Sequence, residues 1–403
     1  MPKRRGHGEG TIYRRPGGLW VGQLTLRNPR TGLPKRVTFY GRTKSEVRSK
    51  MEEAKAVALT SGFVEPARVT VGEWLDVWLQ EYARPSVRPT TWGCYEYVIR
   101  LHLKPAVGRL YLGDLRPEHL QAVYNEKLAA GLSNRTVRLI HTVIQAALKQ
   151  AVREGLVLRN VAQAASPPRL RKKERRVLSQ EEQRKFLAVL EEDRLGAAFL
   201  LDLATGLRRG EILGLRWQDV DLEGGTISVR RALAEVKSES LPEGQRPAGR
   251  KTALIFQEPK SEKGIRTIPV PEAVLPALRA HRARQAQERL LLGPAYQDHD
   301  LVFATADGKP IHPRNFTRSF YRLVQKAGID RANLHALRHT FATRLLEANE
   351  HPKVVQELLG DSQISVVLDT YSHVSMDLKR RAMEKMSDLL TEERKPSPKQ
   401  EGR

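Results

Sequence analysis

The sequence has very little cysteine: Cys94 is the one cysteine among 403 residues. A single thiol cannot form an intrachain disulfide, nor can it supply the several thiolates of a cysteine-based zinc site. Long apolar runs are missing too, because no stretch approaches the roughly 20 apolar residues that span a bilayer. The first ten residues, "MPKRRGHGEG", have no apolar core behind their charges and do not resemble a secretory signal. These absences predict a soluble cytoplasmic protein.

Acidic residues are also too few to balance the basic ones. Aspartate and glutamate number 46 against 69 lysines and arginines, which leaves a net charge of +23. An excess of this size favours a polyanionic partner, and nucleic acid is the first candidate. An anionic membrane surface is the weaker alternative, because the sequence offers no segment that could span a bilayer.

Residues 1–62 have the pattern of a small basic unit. "GTIYRR", "LWVGQLTLR" and "KRVTFYG" alternate apolar and polar residues and are separated by turn-like stretches, which predicts three strands. A helix is expected over residues 43–60, because Thr43 and Glu46 form a capping-box pattern. Fourteen basic and four acidic residues leave an excess of ten positive charges. A basic sheet of this kind can lie in a DNA groove, and the alternative is a solvated basic tail.

Residues 69–165 show helical periodicity throughout and predict a domain of four or five helices. The clearest helix is "SNRTVRLIHTVIQAALKQAVREG", which Ser133 can cap and Gly155 can end. Its apolar face is formed by Val137, Ile140, Ile144, Leu148 and Ala151. The prolines and basic residues of the next stretch, 166–177, are typical of an exposed linker that can follow a phosphate backbone.

Residues 178–390 form the third predicted unit, and a polar tail follows at 391–403. "LSQEEQRKFLAVLEE" predicts a capped helix, and "GTISVRR", "TALIFQEP" and "IRTIPV" predict three short strands. Residues 241–250 are expected to form a loop between the first two strands, and helices resume from Pro271. The whole chain is therefore expected to be a mostly helical α+β multidomain protein. A three-stranded sheet near the N-terminus and a small antiparallel sheet in the third unit complete this fold class.

Four stretches of the third unit carry side chains that suit chemistry on a phosphodiester. They supply Arg208 and Arg209 at a helix start, Lys260 and Lys263 in an expected hairpin turn, His335 and Arg338 one helical turn apart, and Tyr371. Two guanidinium groups can bind the non-bridging oxygens and offset charge in the transition state. A tyrosine hydroxyl can attack phosphorus and leave a covalent ester. A histidine can take the tyrosine proton, and a lysine can protonate the leaving 5′ oxygen.

Each of these residues alone is a weak signal, since surface arginines and core tyrosines are ordinary in a basic protein. Together and in this order they resemble the boxes of the tyrosine recombinases, the phage integrase family. "TGLRRGEILGLRW" is similar to the first box and implies that Arg208 binds the phosphate. "HALRHTFAT" resembles the second box and implies the same for Arg338, with His335 as an acid or base. "LDTYSHV" resembles the third box, with Tyr371 as the nucleophile.

The same resemblance implies further properties. "PKSEKGIRTIPV" is similar to the segment of the family's lysine general acid, which maps to Lys260 with Lys263 as the competitor. The resemblance covers residues 178–390 and implies a helical core-binding domain at 69–165 and, more loosely, an arm-site-binding domain at 1–62. It implies an enzyme of the nucleoid that needs no metal or other cofactor and forms a homotetramer on two double-stranded DNA partners. Strand exchange would pass through 3′-phosphotyrosine intermediates and a Holliday junction, with an excisionase and a host DNA-bending factor as accessory partners.

One position departs from the family pattern. After "LLG", where the family has histidine or tryptophan, the sequence has Asp361. An ionised aspartate accepts hydrogen bonds but cannot donate one to a phosphate. Asp361 precedes an apolar helical run, so it is expected to turn away from the phosphate and cap that helix near Ile364.

Two other functions stay open: a catalytically impaired DNA-binding regulator on the same scaffold, and a type IB topoisomerase, which shares the chemistry.

Overall fold

The computed structural model describes residues 10–16, 18–27, 34–61, 69–170, 175–259, 264–360, 380, 383–384 and 386–387. The chain divides into two compact units, residues 1–171 and 172–403. Helices predominate, and the sheets are small and antiparallel, as the sequence predicts. Of the helices described, none combines the length and the apolar character that crossing a bilayer requires.

The N-terminal part of the first unit is a sheet with one helix. Its elements are β1 (Thr11–Arg14), β2 (Trp20–Arg27), β3 (Pro34–Gly41) and α1 (Lys44–Ser61). The strands pair antiparallel in the order β1-β2-β3. The Thr43 hydroxyl accepts from the backbone N–H of Glu46 at 3.2 Å, which confirms the predicted cap of α1. Because side chains alternate across a strand, one face of the sheet is apolar and packs on α1 around Leu24, Val47 and Met51.

The rest of the described first unit is helical. Its helices are α2 (Val71–Val77), α3 (Arg84–Ser86), α4 (Pro89–Val98), α5 (Lys104–Val107), α6 (Pro117–Ala129) and α7 (Asn134–Arg153). Wide π-helical turns, Trp78–Ala83 and Ile99–Leu103, join α2 to α3 and α4 to α5. The predicted apolar face of α7 is buried. Its predicted cap is confirmed, because the Ser133 hydroxyl accepts from the backbone N–H of Thr136 at 3.2 Å.

The second unit combines seven described helices with five short strands. The helices are α8 (Gln180–Leu190), α9 (Gly196–Thr205), α10 (Arg209–Gly214), α11 (Leu275–Leu292), α12 (Pro313–Lys326), α13 (His335–Glu347) and α14 (Pro352–Leu359). The strands are β4 (Val220–Asp221), β5 (Thr226–Val229), β6 (Ala232–Lys237), β7 (Thr252–Gln257) and β8 (Arg266–Pro269). The cap of α8 is as predicted, since the Ser179 hydroxyl accepts from the backbone N–H of Glu182 at 3.1 Å.

The strands of the second unit pair differently from the sequence prediction. β4, β5 and β8 form one sheet, and β6 and β7 form another. The prediction missed β4 and β6, and the expected hairpin around Lys260 and Lys263 is wrong, because the strands on either side of that segment belong to different sheets. The physical reason is that strand pairing is set by partners distant in sequence: β6 pairs with β7 along its full length and leaves β8 to pair with β5.

An aromatic cluster anchors the helices that lead to the site. It consists of Phe186, Phe199, Phe316 and Phe320. Phe199, on α9, stacks on Phe316, on α12, with 4.6 Å between the ring centroids. Burying a side chain of this size stabilises the fold by about 1.5–3 kcal/mol. Because α9 is held in this core, its C-terminal end has a fixed position, and the chain leaves it at Gly206.

Candidate active site

The first-box arginine, Arg208, lies at the start of α10. Gly206 ends α9 in a left-handed conformation (φ 61°), and a Cβ there would lie 2.6 Å from the ring of Phe341, so this tight connection requires glycine. The Arg208 backbone N–H donates to Glu211 Oε2 at 3.0 Å, and its guanidinium Nη1 donates to Oε1 at 2.8 Å. The Arg208 side chain is 40% exposed, whereas that of Glu211 is 4% exposed. A buried carboxylate therefore holds an arginine that still reaches solvent.

Glu211 depends on neighbouring cations for its charge. Burial by itself raises the pKa of a carboxyl group. Here Arg266, which donates to Glu211 Oε2 at 3.0 Å, and Arg208 together outweigh burial and leave the pKa of Glu211 below its ordinary value. Glu211 is therefore an anion that two arginines share.

The second-box arginine, Arg338, lies on α13 and is 9% exposed. Its Nη1 donates to the Gly206 carbonyl at 2.5 Å, and its Nη2 donates to the Leu359 carbonyl at 3.0 Å. These bonds join the ends of α9 and α14. Arg208 Nη2 also reaches the end of α14, where it donates to the Gly360 carbonyl at 3.3 Å. The fold thus brings together the two arginines that the sequence places in separate boxes.

His335 is the first residue of α13, one helical turn before Arg338. His335 is exposed to solvent on one side, and its ring lies near several guanidinium groups. Partial desolvation lowers the pKa of His335, and repulsion by Arg338, Arg209 and Arg208 lowers it further. The imidazole is therefore neutral at neutral pH and can accept a proton.

The lowered pKa of His335 predicts the pH range in which the rate of DNA cleavage falls on the acidic side. A neutral ring is required to accept a proton, and this ring stays neutral to a pH below its ordinary pKa of 6.5. On the role that the sequence predicts for His335, the midpoint of the acidic fall in the single-turnover rate of DNA cleavage should lie below pH 6.5. His335→Gln should be slower and lack this acidic fall. An acidic limb centred above pH 6.5 would contradict the assignment.

Four predicted site residues lie outside the described residues: Lys260, Lys263, Asp361 and Tyr371. Their roles stay predictions, as does the expected cap at Asp361. The described chain adjoins both segments in sequence, at Gly264 and at Gly360. Gly264 is bonded into the site, because its carbonyl accepts from Arg266 Nη1 at 3.1 Å.

Sequence reasoning missed two residues of this site, Glu211 and Arg266. Glu211 has a local signal, since it occupies the third helical position after Arg208, where an acid commonly bonds the helix start. Arg266 has no such signal. Its partners Glu211, Gly264 and Leu358 come from three segments of the chain, and two of the bonds are to backbone carbonyls.

The described part of the site suits an anion with several oxygens. Two guanidinium groups converge at the end of α14, and a neutral imidazole stands beside them. Paired N–H donors of this kind bind phosphate oxygens well. Within the described residues, no group of three or more His, Cys, Asp or Glu side chains is arranged to hold a metal ion.

Comparison with known proteins identifies the family. The model of the phage integrase family matches residues 176–377, half of the chain. This chain belongs to the phage integrase family. A second model, the phage integrase N-terminal SAM-like domain, matches residues 70–128 of the same integrase. The family match spans the boxes that carry Arg208, His335, Arg338 and Tyr371.

Individual relatives agree with this result. The tyrosine recombinase XerC-like protein of Caldanaerobacter subterraneus is 33% identical over 91% of this chain and 95% of its own length. A solved structure of the Tn1549 transposon integrase in complex with transposon right end DNA has a TM-score of 0.64 at 24% identity, covering 79% of this chain and 100% of that one. A lambda integrase tetramer bound to a Holliday junction has a TM-score of 0.52 at 21% identity, and the match covers 90% of this chain and 96% of that chain.

The predicted family and the mostly helical fold class are thus confirmed. As a member of this family, the integrase is a tyrosine-type site-specific DNA recombinase. The family match favours recombination over the type IB topoisomerase that shares the chemistry. Among the residues described, the fold brings the predicted arginines Arg208 and Arg338 to the same helix end.

Proposed function

We propose that this recombinase cleaves and rejoins DNA strands through a 3′-phosphotyrosine intermediate and thereby integrates or excises a mobile element. The observation that supports this proposal most is the convergence of Arg208 and Arg338 on the carbonyls of Gly360 and Leu359. Tyr371 follows eleven residues after Gly360 in the sequence. A phosphate bound by the arginines is therefore within reach of the segment that carries the tyrosine.

In this proposal Arg208 and Arg338 donate to the two non-bridging oxygens of the scissile phosphate. A planar guanidinium presents paired donors, so it suits two oxygens better than a lysine does. Negative charge on these oxygens grows in the pentacoordinate transition state, so donors that are already fixed stabilise that state more than the ground state. Glu211 fixes Arg208, and the carbonyls of Gly206 and Leu359 fix Arg338.

Tyr371 is the proposed nucleophile. Its phenolic oxygen bonds to phosphorus while the bond from phosphorus to the 5′ oxygen breaks, so the 3′ phosphate ends on the tyrosine. The phenolic proton passes to His335, whose lowered pKa keeps the ring neutral. Lys260 protonates the departing 5′ oxygen. Rejoining runs these steps in reverse with a new 5′ hydroxyl, so the phosphoester bond is conserved and no ATP is consumed.

A substrate with a different leaving group can show whether Lys260 or Lys263 is the general acid. Lys260→Ala should lower the cleavage rate by about 10²-fold, because the 5′ oxygen then leaves without a proton. A substrate with sulfur at the bridging 5′ position should restore the rate, since a thiolate leaves without protonation. Lys263→Ala is the matched control and should cleave both substrates at nearly the wild-type rate. Rescue of Lys263→Ala in place of Lys260→Ala would reassign the general acid.

A DNA-binding regulator with an impaired active site is the second candidate, because Asp361 stands where the family has a phosphate donor. Direct repeats in the DNA that flanks the gene would supply the core sequence of the substrate. The protein is then incubated with a nicked duplex of that sequence and analysed under denaturing conditions. A covalent protein–DNA adduct supports the recombinase, whereas specific binding without an adduct supports the regulator.

Double-stranded DNA is the proposed partner, and the net charge of +23 supports it, because basic side chains release counterions from the phosphate backbone. Since the lambda relative forms a tetramer on a Holliday junction, we infer a homotetramer on two DNA partners for this integrase. An excisionase and a host DNA-bending factor belong to the same proposal, as does a location at the nucleoid.

The N-terminal sheet carries the proposed arm-site function. Its face away from α1 carries Thr11, Gln23 and Thr38 in one row, and in the next row the exposed Tyr13 and Tyr40 on either side of the buried Val21. Arg36 lies on the same face, opposite Thr25. Hydroxyl and amide groups can bond base edges in the major groove, and arginine can bond guanine or phosphate. This face supports recognition of a second, distal kind of site.

Deleting residues 1–62 tests that role. The truncated protein should still cleave at the core site, since Arg208 and Arg338 lie in the second unit, and it should lose protection of the distal sequence. Footprinting on DNA that carries both kinds of site measures the two effects together. The double variant Gln23→Ala, Arg36→Ala alters only the sheet face that is proposed to contact DNA, so it should also lose protection of the distal sequence. Unchanged distal protection by the truncated protein would refute a separate arm-binding role.

A further inference from the structure

The end of α14 is bonded to three arginines from three different elements. The pairs are Arg266 Nε with the Leu358 carbonyl at 2.7 Å, Arg338 Nη2 with the Leu359 carbonyl at 3.0 Å, and Arg208 Nη2 with the Gly360 carbonyl at 3.3 Å. The last carbonyls of an α-helix have no partner inside the helix, so they are available to outside donors. These three pairs form the three-arginine cap of α14.

Arg266 is a buried member of this cap. Its side chain is 8% exposed, whereas that of Arg208 is 40% exposed. Besides Leu358, it donates to Glu211 Oε2 at 3.0 Å and to the Gly264 carbonyl at 3.1 Å. Arg266 therefore connects three parts of the site. They are Glu211, which bonds Arg208; Gly264, which follows the segment with the two lysines; and the end of α14, which precedes the segment with Tyr371.

Gly360 gives an independent sign that the Arg266 guanidinium is fitted against the backbone. Gly360 ends α14 in a left-handed conformation (φ 63°), and a Cβ there would lie 2.7 Å from Arg266 Nη1 and 2.9 Å from its Cζ. A small movement of the Arg266 side chain could not relieve contacts this short, because its guanidinium is hydrogen-bonded on several sides. The helix end and the guanidinium fit together only when residue 360 has no side chain.

We propose that Arg266 is a positioning residue, which fixes the start of the tyrosine-bearing segment against the two phosphate-binding arginines without touching DNA itself. This inference rests on the proposed roles of Arg208, Arg338 and Tyr371. Arg266 also supplies Glu211 with a second cation. Without it, the buried carboxylate would rely on Arg208 and hold that guanidinium away from the phosphate.

The test compares the rate of adduct formation with DNA affinity. Arg266→Met removes the charge and all the donors while keeping an unbranched side chain. At saturating protein on the nicked core duplex, this variant should form the adduct about 10²-fold more slowly, because its catalytic groups are misplaced. Its Kd for the duplex should change by less than about threefold, since the lost interactions act in the transition state. An adduct rate equal to that of the wild type would overturn the inference.

Arg194 provides a matched control. It also bonds both oxygens of a glutamate, Glu288, at 2.7 and 2.6 Å and one carbonyl, that of Ala304, at 2.8 Å. Arg194→Met thus removes the same kind of network in the same unit. We expect it to lower the thermal unfolding temperature but to leave the adduct rate of the folded protein unchanged. Equal rate losses for Arg194→Met and Arg266→Met would show a merely structural role and overturn the inference.

Two further variants keep the test decisive if Arg266→Met folds poorly. Arg266→Lys keeps the charge but lacks the planar fork, so its rate should fall between those of the wild type and Arg266→Met. Adding Glu211→Gln to Arg266→Met should restore part of the rate, because glutamine has no negative charge to hold Arg208 away from the phosphate. A wild-type rate for Arg266→Lys, or no recovery in the double variant, would contradict the positioning role. A wild-type protein that forms no adduct would overturn the proposed function itself, which separates the two failures.

Discussion

Tyr371→Phe is expected to abolish covalent attachment to DNA and to leave DNA binding intact. The substitution removes one hydroxyl group, which is the proposed nucleophile, and keeps the ring. Without that oxygen no phosphotyrosine can form, so the loss should be complete. The measurement is trapping on a nicked suicide substrate under denaturing conditions, with affinity for the same duplex measured in parallel.

Tyr321 is the matched control for this result. It is a tyrosine of the same unit, on α12, and the residue is 50% exposed, so its hydroxyl is accessible to DNA. Tyr321→Phe should form the adduct at the wild-type rate. A persistent adduct in Tyr371→Phe that disappears in Tyr321→Phe would move the nucleophile to α12 and overturn the proposed site.

Arg338→Ala is expected to lower the adduct rate far more than the affinity for DNA. A donor that meets growing charge in a desolvated site contributes about 3 kcal/mol or more, which corresponds to roughly 10²-fold in rate. Arg208→Ala should behave alike, because both guanidinium groups reach the same helix end. Single-turnover rates and equilibrium binding on the core duplex separate the two effects. A loss of affinity with no defect in the single-turnover rate would show that these arginines only bind DNA.

Arg338 also contributes to stability, so a control on the same helix is required. Arg344→Ala removes a half-buried arginine of α13 that donates to the Leu178 carbonyl at 2.8 Å, away from the site. Each variant leaves carbonyls without a donor, which costs about 1–3 kcal/mol per buried group. Thermal unfolding should therefore shift in both, and the adduct rate should fall only in Arg338→Ala.

Asp202 makes the Arg338 substitution more complex. Burial raises the pKa of this carboxyl well above its ordinary value, and Arg338 opposes that rise. Its Oδ1 has no hydrogen-bond partner among the residues described. Removing Arg338 would leave Asp202 more firmly protonated and so would not create a buried charge. The stability cost of Arg338→Ala is therefore expected to come from the carbonyls of Gly206 and Leu359.

Local features of the fold could be predicted from the sequence. Ser133 and Ser179 cap their helices as expected, because a hydroxyl reaches a backbone N–H only three residues away. The three N-terminal strands are predicted because apolar and polar residues alternate between turn-like stretches. The positions of His335 and Arg338 on one helix follow from their spacing of three. Each of these inferences needs only a few consecutive residues.

Features that depend on distant partners could not be predicted in this way. The sequence predicts that β7 and β8 pair in a hairpin, yet β6 pairs with β7 and β5 pairs with β8. Arg266 was missed because its acceptors are largely backbone carbonyls, which every residue has and no motif marks. Residue identity gives the chemistry of a donor, but only the folded chain shows which carbonyl it meets.

The three-arginine cap changes the electric field at the end of α14. The aligned peptide dipoles of a helix give its C-terminal end a partial negative charge of about half an electron, which repels a phosphate. Three guanidinium groups outweigh that charge, even after Glu211 offsets one of them. The segment that carries Tyr371 therefore leaves the helix at a point of positive potential. A phosphate can approach this helix end with less repulsion than it would meet at an ordinary one.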